Sequence, residues 1–270
     1  MTKRFALLSV SFVLAVACLF AAGMSLTSSA HAQSLVKPAA LQPGDLIRGE
    51  SYSAVYFYGT DGFRYVFPNS KIYFTWYSNF DSVKWLSDAD LTTIQIGGNV
   101  TYKPGVKMIK INSDSKVYVV GAGGTLRAIP SEAVALALYG ATWNKQIDDL
   151  PDGFFGNYKM GGSLEVATSF SVTGEKADAA SINVDKQLKA ATTVTISSSG
   201  YSPASITIPA GTAVRFVNND SVKHSASGDD TTWGTGTLNY GGNFARYFKT
   251  AGTYAYHDAY GNFTGTIIVQ

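Results

Sequence analysis

Three histidines and one cysteine hold most of the chain's capacity for nucleophilic, redox or metal chemistry, and their positions limit it. Cys18 and His31 lie in the first 32 residues, whereas His224 and His257 lie near the C-terminus. A lone thiol can form no internal disulfide and supplies no Cys-based zinc cluster. A serine hydrolase needs a histidine between a serine and a carboxylate. Ser225 directly follows His224, which is the wrong relation for a nucleophile elbow. Gly121-Ala122-Gly123-Gly124 lacks the Lys-Ser/Thr of a phosphate loop and suits a hairpin turn better. Asp148-Asp149 and Asp229-Asp230 could act as glycosidase carboxylates, but adjacent acids usually mark solvated turns. No catalytic constellation assembles, so the expectation is that the protein is not an enzyme.

The N-terminus changes this inventory. Lys3 and Arg4 precede an apolar stretch from Phe5 to about Ala22, a polar Ser25–Ser29 segment and Ala30-His31-Ala32. This is the plan of a secretory signal peptide over residues 1–32, with cleavage after Ala32. Left uncleaved, the stretch of about 18 apolar residues would approach a membrane anchor. Cleavage removes the only thiol, leaves His224 and His257, and reduces 21 basic residues to 19 against 19 acidic ones. Cysteine proteases, thiol redox enzymes and three-histidine metal sites are then excluded. So is a field that would gather nucleic acid. Charged residues make up 15% of the chain, well below the roughly 25% of ordinary globular domains. The expected location is secreted, periplasmic or elsewhere in the cell envelope, with membrane contact only through an uncleaved leader.

The elements that must position the remaining candidates start with a repeat. A shift of 62 residues lays Val55-Tyr56 on Val117-Tyr118, Gly59 on Gly121, Gly62 on Gly124, Pro68 on Pro130 and Tyr77 on Tyr139. Leu46-Ile47-Arg48 falls on Met108-Ile109-Lys110 in the same register. Each copy reads as a small α+β unit of ββα type: a Val-Tyr strand, a Gly-bounded hairpin turn, a second strand and a helix after the proline. The helix is clearest at 131–139, where Ser131 can cap and Val134, Ala135 and Leu138 share a face. The units are placed at 46–105 and 106–165. Arg127, Ile129, Pro130, Leu138-Tyr139-Gly140, Trp143 and Asp149 resemble a repeat of exported bacterial surface proteins, a family that implies no activity.

Residues 52–80 carry twelve aromatic side chains. Such density fills the core of a small unit, and Tyr56/Tyr58 alternate with Val55/Phe57 so that one set faces outward. Tyr73, Trp76 and Tyr77 are the candidates for an exposed platform that would stack on a glycan or a partner protein.

From 171 to 191 the composition turns to Ala, Lys, Asp, Ser and Glu without an aromatic, which reads as a tether. The last region, 192–270, is all β. Runs at 194–196, 206–208, 214–217, 244–248, 253–257 and 266–269 are separated by Gly and Pro turns, the spacing of a sandwich.

This region is similar to the plastocyanin-like cupredoxins. The resemblance rests on Tyr201-Ser202-Pro203-Ala204-Ser205-Ile206-Thr207-Ile208-Pro209-Ala210-Gly211-Thr212, on Val214–Asp220 and on Val222-Lys223-His224. Gly236-Thr237-Leu238, Gly252–His257 and Thr264–Val269 extend it. It implies a Greek-key β-sandwich. In that family an early His and a C-terminal Cys, His and Met hold a type 1 copper, and the thiolate is indispensable to it. Here His224 matches the early ligand, while Asp258, Gly261 and Phe263 stand at the other three positions. On the last-but-one strand Tyr254, Tyr256 and Asp258 share a face and His257 takes the other. Because the family's Cys faces inward, the resemblance implies that Asp258 points at His224 and His257 away from it. His224 and Asp258 could then bind Cu(II) or Zn(II) weakly, or form a hydrogen-bonded pair in the emptied pocket, the latter being favoured. No cofactor is expected, and copper only outside a type 1 centre.

The sequence thus points to an exported, non-catalytic binding or structural protein with a degenerate copper site. The alternatives are metal handling through His224 and Asp258, or carbohydrate and cell-wall binding through the 52–80 aromatics.

Overall fold

Alternation of apolar and polar residues marks strands such as Thr192–Ser197 and Ser205–Ile208, and the chain folds mainly as β. The computed structural model describes residues 34–270; the leader, with Cys18 and His31, lies outside them. Among the described residues no helix is long and apolar enough to cross a membrane.

The first sheet is built from β1 (Leu46–Arg48), β2 (Tyr56–Tyr58), β3 (Arg64–Val66), β4 (Val83–Trp85) and β5 (Ile96–Asn99). Helices α1 (Ser70–Trp76) and α2 (Asp88–Thr92) lie between β3 and β5 in the chain. Asn69 caps α1 by accepting from Ile72 N, and Ser87 caps α2. The strand order is β4-β1-β2-β3-β5. The hairpin β1-β2-β3 is antiparallel, and β4 and β5 add to its two edges in parallel.

The second sheet has β6 (Met108–Ile111), β7 (Tyr118–Gly121), β8 (Thr125–Ala128), β9 (Ile147–Leu150) and β10 (Lys159–Ser163), with α3 (Glu132–Tyr139) after β8. Its order from the other edge is β9-β6-β7-β8-β10, with the same parallel and antiparallel pairings as the first. Ser131 caps α3, and Ala135 is buried with Val134 and Leu138 packed alongside. Each unit therefore carries more sheet than its ββα centre, because the extended tail after the helix closes both edges.

The alternation in β2 does not leave one set of rings in water. Phe57 and Val55 enter the main core, while Tyr56 and Tyr58 pack on a second cluster made by Leu41, Ile47, Leu86, Leu91 and Ile94. Both faces of this small sheet are covered.

Residues 171–191 are not a free tether. They form α4 (Val172–Asp178) and α5 (Ile182–Asp185), capped by Ser171 and Ser181. Ile182 is 1% exposed and belongs to the core that runs through both sheets, with Leu188 against it. Polar side chains do the rest. Asn183 Oδ1 accepts from Thr60 N at 2.9 Å, while Glu175 Oε2 and Asp185 Oδ1 accept from Ala122 N and Gly123 N at 2.8 Å each. Hydrogen bonds of this kind leave no apolar periodicity in the sequence, so the docking was invisible there.

The C-terminal sandwich contains β11 (Thr192–Ser197), β12 (Gly200–Ser202), β13 (Ser205–Ile208), β14 (Thr212–Asn218), β15 (Ser227–Gly228), β16 (Asn243–Phe248), β17 (Gly252–His257) and β18 (Thr264–Val269). One sheet runs β12-β11-β14-β16 and the other β13-β18-β17-β15. The chain crosses from one sheet to the other between β12 and β13, so that β13 pairs with β18 in parallel. Val194, Ile196, Val214, Phe216, Ile267 and Val269 face inward around Trp233 and Tyr256. Truncating a ring such as Phe216 to alanine would cost about 3–5 kcal/mol.

The outer face of β14 meets the first unit. Arg215 Nη2 donates to Gly62 O at 3.0 Å, and its guanidinium lies over the Phe63 ring. The buried Asp61 accepts from the Tyr65 hydroxyl at 2.5 Å and from the Tyr247 hydroxyl. Gln95 mimics a strand partner for β16, accepting from Ala245 N at 2.6 Å and donating to Ala245 O at 3.2 Å.

Candidate functional site

The end of the sandwich that carries His224 is organised by a buried asparagine. Asn218, the last residue of β14, donates from Nδ2 to Val222 O and Leu238 O at 2.8 Å each and accepts from Asp220 N at 2.8 Å. The turn that results aims Asp220 back at His224. The His224 backbone pairs with Leu238 in both directions, and this fixes the ring over the sandwich end. From the opposite sheet, β17 runs into Asp258, and the loop returns through Phe263, whose carbonyl accepts from Asp258 N at 3.0 Å.

These elements bring three ionisable groups together. His224 Nδ1 lies 2.7 Å from Asp258 Oδ2, and Nε2 lies 3.1 Å from Asp220 Oδ2. The ring is 5% exposed and rests against the Phe263 ring, with centroids 5.4 Å apart. Asp258 is 3% exposed, and its second oxygen accepts from Ser225 N (2.8 Å), Ser225 Oγ (3.2 Å) and Tyr260 N (3.2 Å). The Tyr201 hydroxyl donates to Ser225 O at 2.5 Å, tying this loop to β12. Nearly every polar atom at the site has a partner.

The protonation state follows from the partners. Ionised carboxylates only accept hydrogen bonds, so a ring nitrogen without a proton would set its lone pair against an anion. With a carboxylate at each nitrogen, His224 is an imidazolium. Burial alone would lower its pKa, but the hydrogen bonds to Asp258 and Asp220 outweigh this and hold it above the ordinary histidine value. Burial would likewise raise Asp258, yet the bonds from His224, Tyr260 and Ser225 hold it below the ordinary carboxylate range. Asp220 is lowered chiefly by its bond to His224. One cation thus serves two anions.

As a metal-binding set this group is poor. Its donors are one imidazole and two carboxylates, with no thiolate or thioether. Both imidazole nitrogens are occupied, so a metal would have to displace a carboxylate and a proton together. Gly261 offers no donor, and a Cβ placed there would stand 2.9 Å from Asp258 Oδ2. Phe263 presents only its ring. The residues do not fit a type 1 copper centre, whose geometry needs a thiolate.

The other candidates are scattered. His257 lies on the opposite face of β17, exposed, with Nδ1 2.6 Å from Asp229 Oδ1. Asp230 closes a turn by accepting from Thr232 N. Asp148 and Asp149 lie on β9 rather than in a turn. Asp148 accepts from the Tyr102 hydroxyl at 3.1 Å, and Asp149 pairs with Lys110 at 2.6 Å.

The platform of Tyr73, Trp76 and Tyr77 is corrected in part. Tyr73 is 1% exposed, enclosed by Phe67, Tyr77 and Phe80. Trp76 is half-buried and donates to Thr101 O at 2.9 Å. Tyr77 is also half-buried, its hydroxyl pushed up to about 12 by burial. On a helix as short as α1, the side pointing into the unit takes Tyr73, and Phe74 turns outward instead. The rings that reach solvent are Tyr52, Phe74 and Phe80.

Asp220 was not singled out in the sequence. It stands four residues before His224, but in a loop that spacing carries no regular geometry. Only the turn made by Asn218 joins them.

Residues 166–269 match the model of a cupredoxin-like domain. The match starts ahead of the 171–191 segment and takes it in with the sandwich. Among solved structures, the chain is similar to a purple cupredoxin from Nitrosopumilus maritimus. The identity is 26%, over 29% of this chain and 99% of that one, with a TM-score of 0.28. A copper-containing nitrite reductase from Thermus scotoductus SA-01 is 26% identical over 30% of this chain but only 22% of its own, also with a TM-score of 0.28. A variant of amicyanin is 20% identical over 30% of this chain and 82% of that one, with the same TM-score. No curated protein matches the chain.

Proposed function

We propose that this is an exported, non-catalytic binding protein of the cell envelope in which the cupredoxin-like sandwich serves as a scaffold without copper. One observation carries the reading: both nitrogens of His224 are taken by carboxylates, with Asp258 at the position where the resemblance calls for the copper thiolate. The site then contributes rigidity. It joins the loop after β14 to the end of β17, work that a metal does in a copper-loaded relative. The matching order and pairing of the two five-stranded sheets support two copies of one unit ahead of the scaffold. Export rests on the leader.

Calorimetry with Cu(II) and with Zn(II), together with metal analysis of the purified protein, tests this. The expected result is no binding tighter than micromolar and no blue absorption. Submicromolar binding that is lost in His224→Ala would instead assign metal handling to His224 and Asp258. The same scaffold offers a constructive check: Asp258→Cys with Gly261→His and Phe263→Met is expected to create copper-dependent blue absorption.

A second reading has its own observation. Phe74 and Phe80 are about half exposed and stand edge to face with ring centroids 5.3 Å apart, and Phe80 lines grooves beside Val55 and Trp85. Rings in that setting stack on sugars or anchor a partner. Retention on cell-wall glycan that falls in Phe80→Ala would support it.

A further inference from the structure

A cavity of about 620 Å³ opens where the two sheet units, the 171–191 segment and the sandwich converge. Small-molecule sites typically span about 300–1,000 Å³. Four lysines line it: Lys159 from β10, Lys186 and Lys189 from the segment after α5, and Lys249 after β16. Among the described residues none of the four forms an ion pair; Lys189 donates to a backbone oxygen, Ala210 O, at 3.0 Å. The carboxylate that lines the cavity, Asp185, is turned to the Gly123 amide. Four like charges converge here in a chain whose formal net charge is only +2. Their mutual repulsion is offset only in part by Asp185, the one carboxylate in the lining, and an anion between them would offset the rest.

We infer that this cavity binds a small, multiply charged oxyanion, a phosphate ester or a polycarboxylate, held by Lys159, Lys186, Lys189 and Lys249. Lysine suits such a ligand as a mobile point charge that needs no fixed bidentate geometry.

Two further features bear on the inference. Gln187 lies in the left-handed backbone region, with φ of 53°, between the two lysines of the segment. A non-glycine residue adopts that conformation only where its surroundings enforce it, and such positions gather at functional sites. Lys186 is half-buried over the Tyr65 ring. Burial holds its ammonium below the ordinary lysine value, Asp185 and Asp61 pull the other way, and Lys159 adds repulsion. A bound anion would relieve that repulsion. The site exists only when all four parts are assembled, so binding would report on the whole molecule, independently of the chemistry at His224.

Titration of the full chain with pyrophosphate and with citrate at low ionic strength tests this, read by calorimetry and by the rise in melting temperature that a native-state ligand produces. At least one probe is expected to bind with submillimolar affinity that weakens as salt is added. Pyrophosphate binding tighter than citrate would identify the ligand as a phosphate ester, and the reverse as a polycarboxylate. Lys159→Gln combined with Lys249→Gln, both on exposed side chains, is expected to weaken binding by on the order of tenfold or more. Lys186→Gln should do the same, and Lys223→Gln at the far end of the sandwich should change nothing. Absence of binding by both probes would overturn the site, as would the same affinity in the double variant or an equal loss in Lys223→Gln.

Discussion

The turns at 59–62 and 121–124 occupy the same place in two sheets of identical strand order, yet they hold different neighbours. Each offers an amide at the equivalent position, Thr60 N or Ala122 N, and each amide is taken by a side chain of the 171–191 segment, Asn183 or Glu175. One residue later they diverge. The first turn has Asp61, whose buried carboxylate gathers Tyr65 and Tyr247 and so binds the sandwich. The second has Gly123, which has no side chain and whose amide donates to Asp185 Oδ1, so that it binds only the segment. Asp61 is thus one of the side chains, with Gln95 and Phe63, through which the first unit and not the second carries the C-terminal domain. Arg215, sandwiched between Phe63 and Asn243, completes the contact on that side alone.

The comparison can be broken or sharpened by substitution. The largest expected effect is a control far from both turns: Asp258→Ala should cost about 3–5 kcal/mol, because it leaves a buried imidazolium with half its pairing. Urea denaturation checks this, and the loss should fall on the sandwich. Its pH dependence carries the signature. The raised pKa of His224 contributes stability that is complete below the unfolded value near 6.5 and is lost as pH rises through the folded one. The lowered values of Asp258 and Asp220 contribute above about 3.8, and that part is lost as pH falls through their folded values. The contribution therefore peaks between these limits and shrinks in the variant, which keeps only the Asp220 contact. Asp258→Asn, which keeps hydrogen-bonding capacity but no charge, should lower the His224 pKa in an NMR titration; equal values would refute the pairing.

Next in size is Asp61→Ala, at about 3 kcal/mol, since a buried tyrosine hydroxyl, Tyr65, and a half-buried one, Tyr247, lose their carboxylate acceptor. Its distinguishing result is a split of one unfolding transition into two, as the sandwich uncouples from the sheets. A single unshifted transition would mean that Asp61 does not join them. The reciprocal change, Gly123→Asp, sharpens the point. A Cβ there meets only ordinary contacts at 3.7–3.8 Å, so the cost should be about 1 kcal/mol from the left-handed backbone alone. Cooperativity should remain. The smallest effect is expected from Asn183→Ala, about 1 kcal/mol for one lost hydrogen bond to the first turn.

What could be read in the sequence differs between the regions for a physical reason. All six apolar strands of the sandwich stood out, because their inward side chains recur at every second residue along one core. The strands of the sheet units are three to five residues long, too short to establish an alternation, and the edge strand β5 is largely exposed and half glycine, so the parallel edges β4 and β5 leave no pattern in the sequence. Ring density in 52–80 was legible as core, but not which rings stay outside. Asp258 could be placed opposite His224 by parity along β17 and the resemblance to the cupredoxins; Asp220 could not, because loop conformation and not periodicity brings it there.

The residues alone determined the absence of a thiol from 34–270, the strand pattern of the sandwich and the separation of Asp258 from His257 onto opposite faces of β17. Local periodicity and side-chain chemistry suffice for these, and the resemblance to the cupredoxins added the meeting of His224 with Asp258. Tertiary structure decided that a second carboxylate closes on His224, that the 171–191 segment is docked, and that four lysines far apart in the chain share one cavity. Those depend on polar contacts between distant residues, and such contacts impose no repeat on the sequence that makes them.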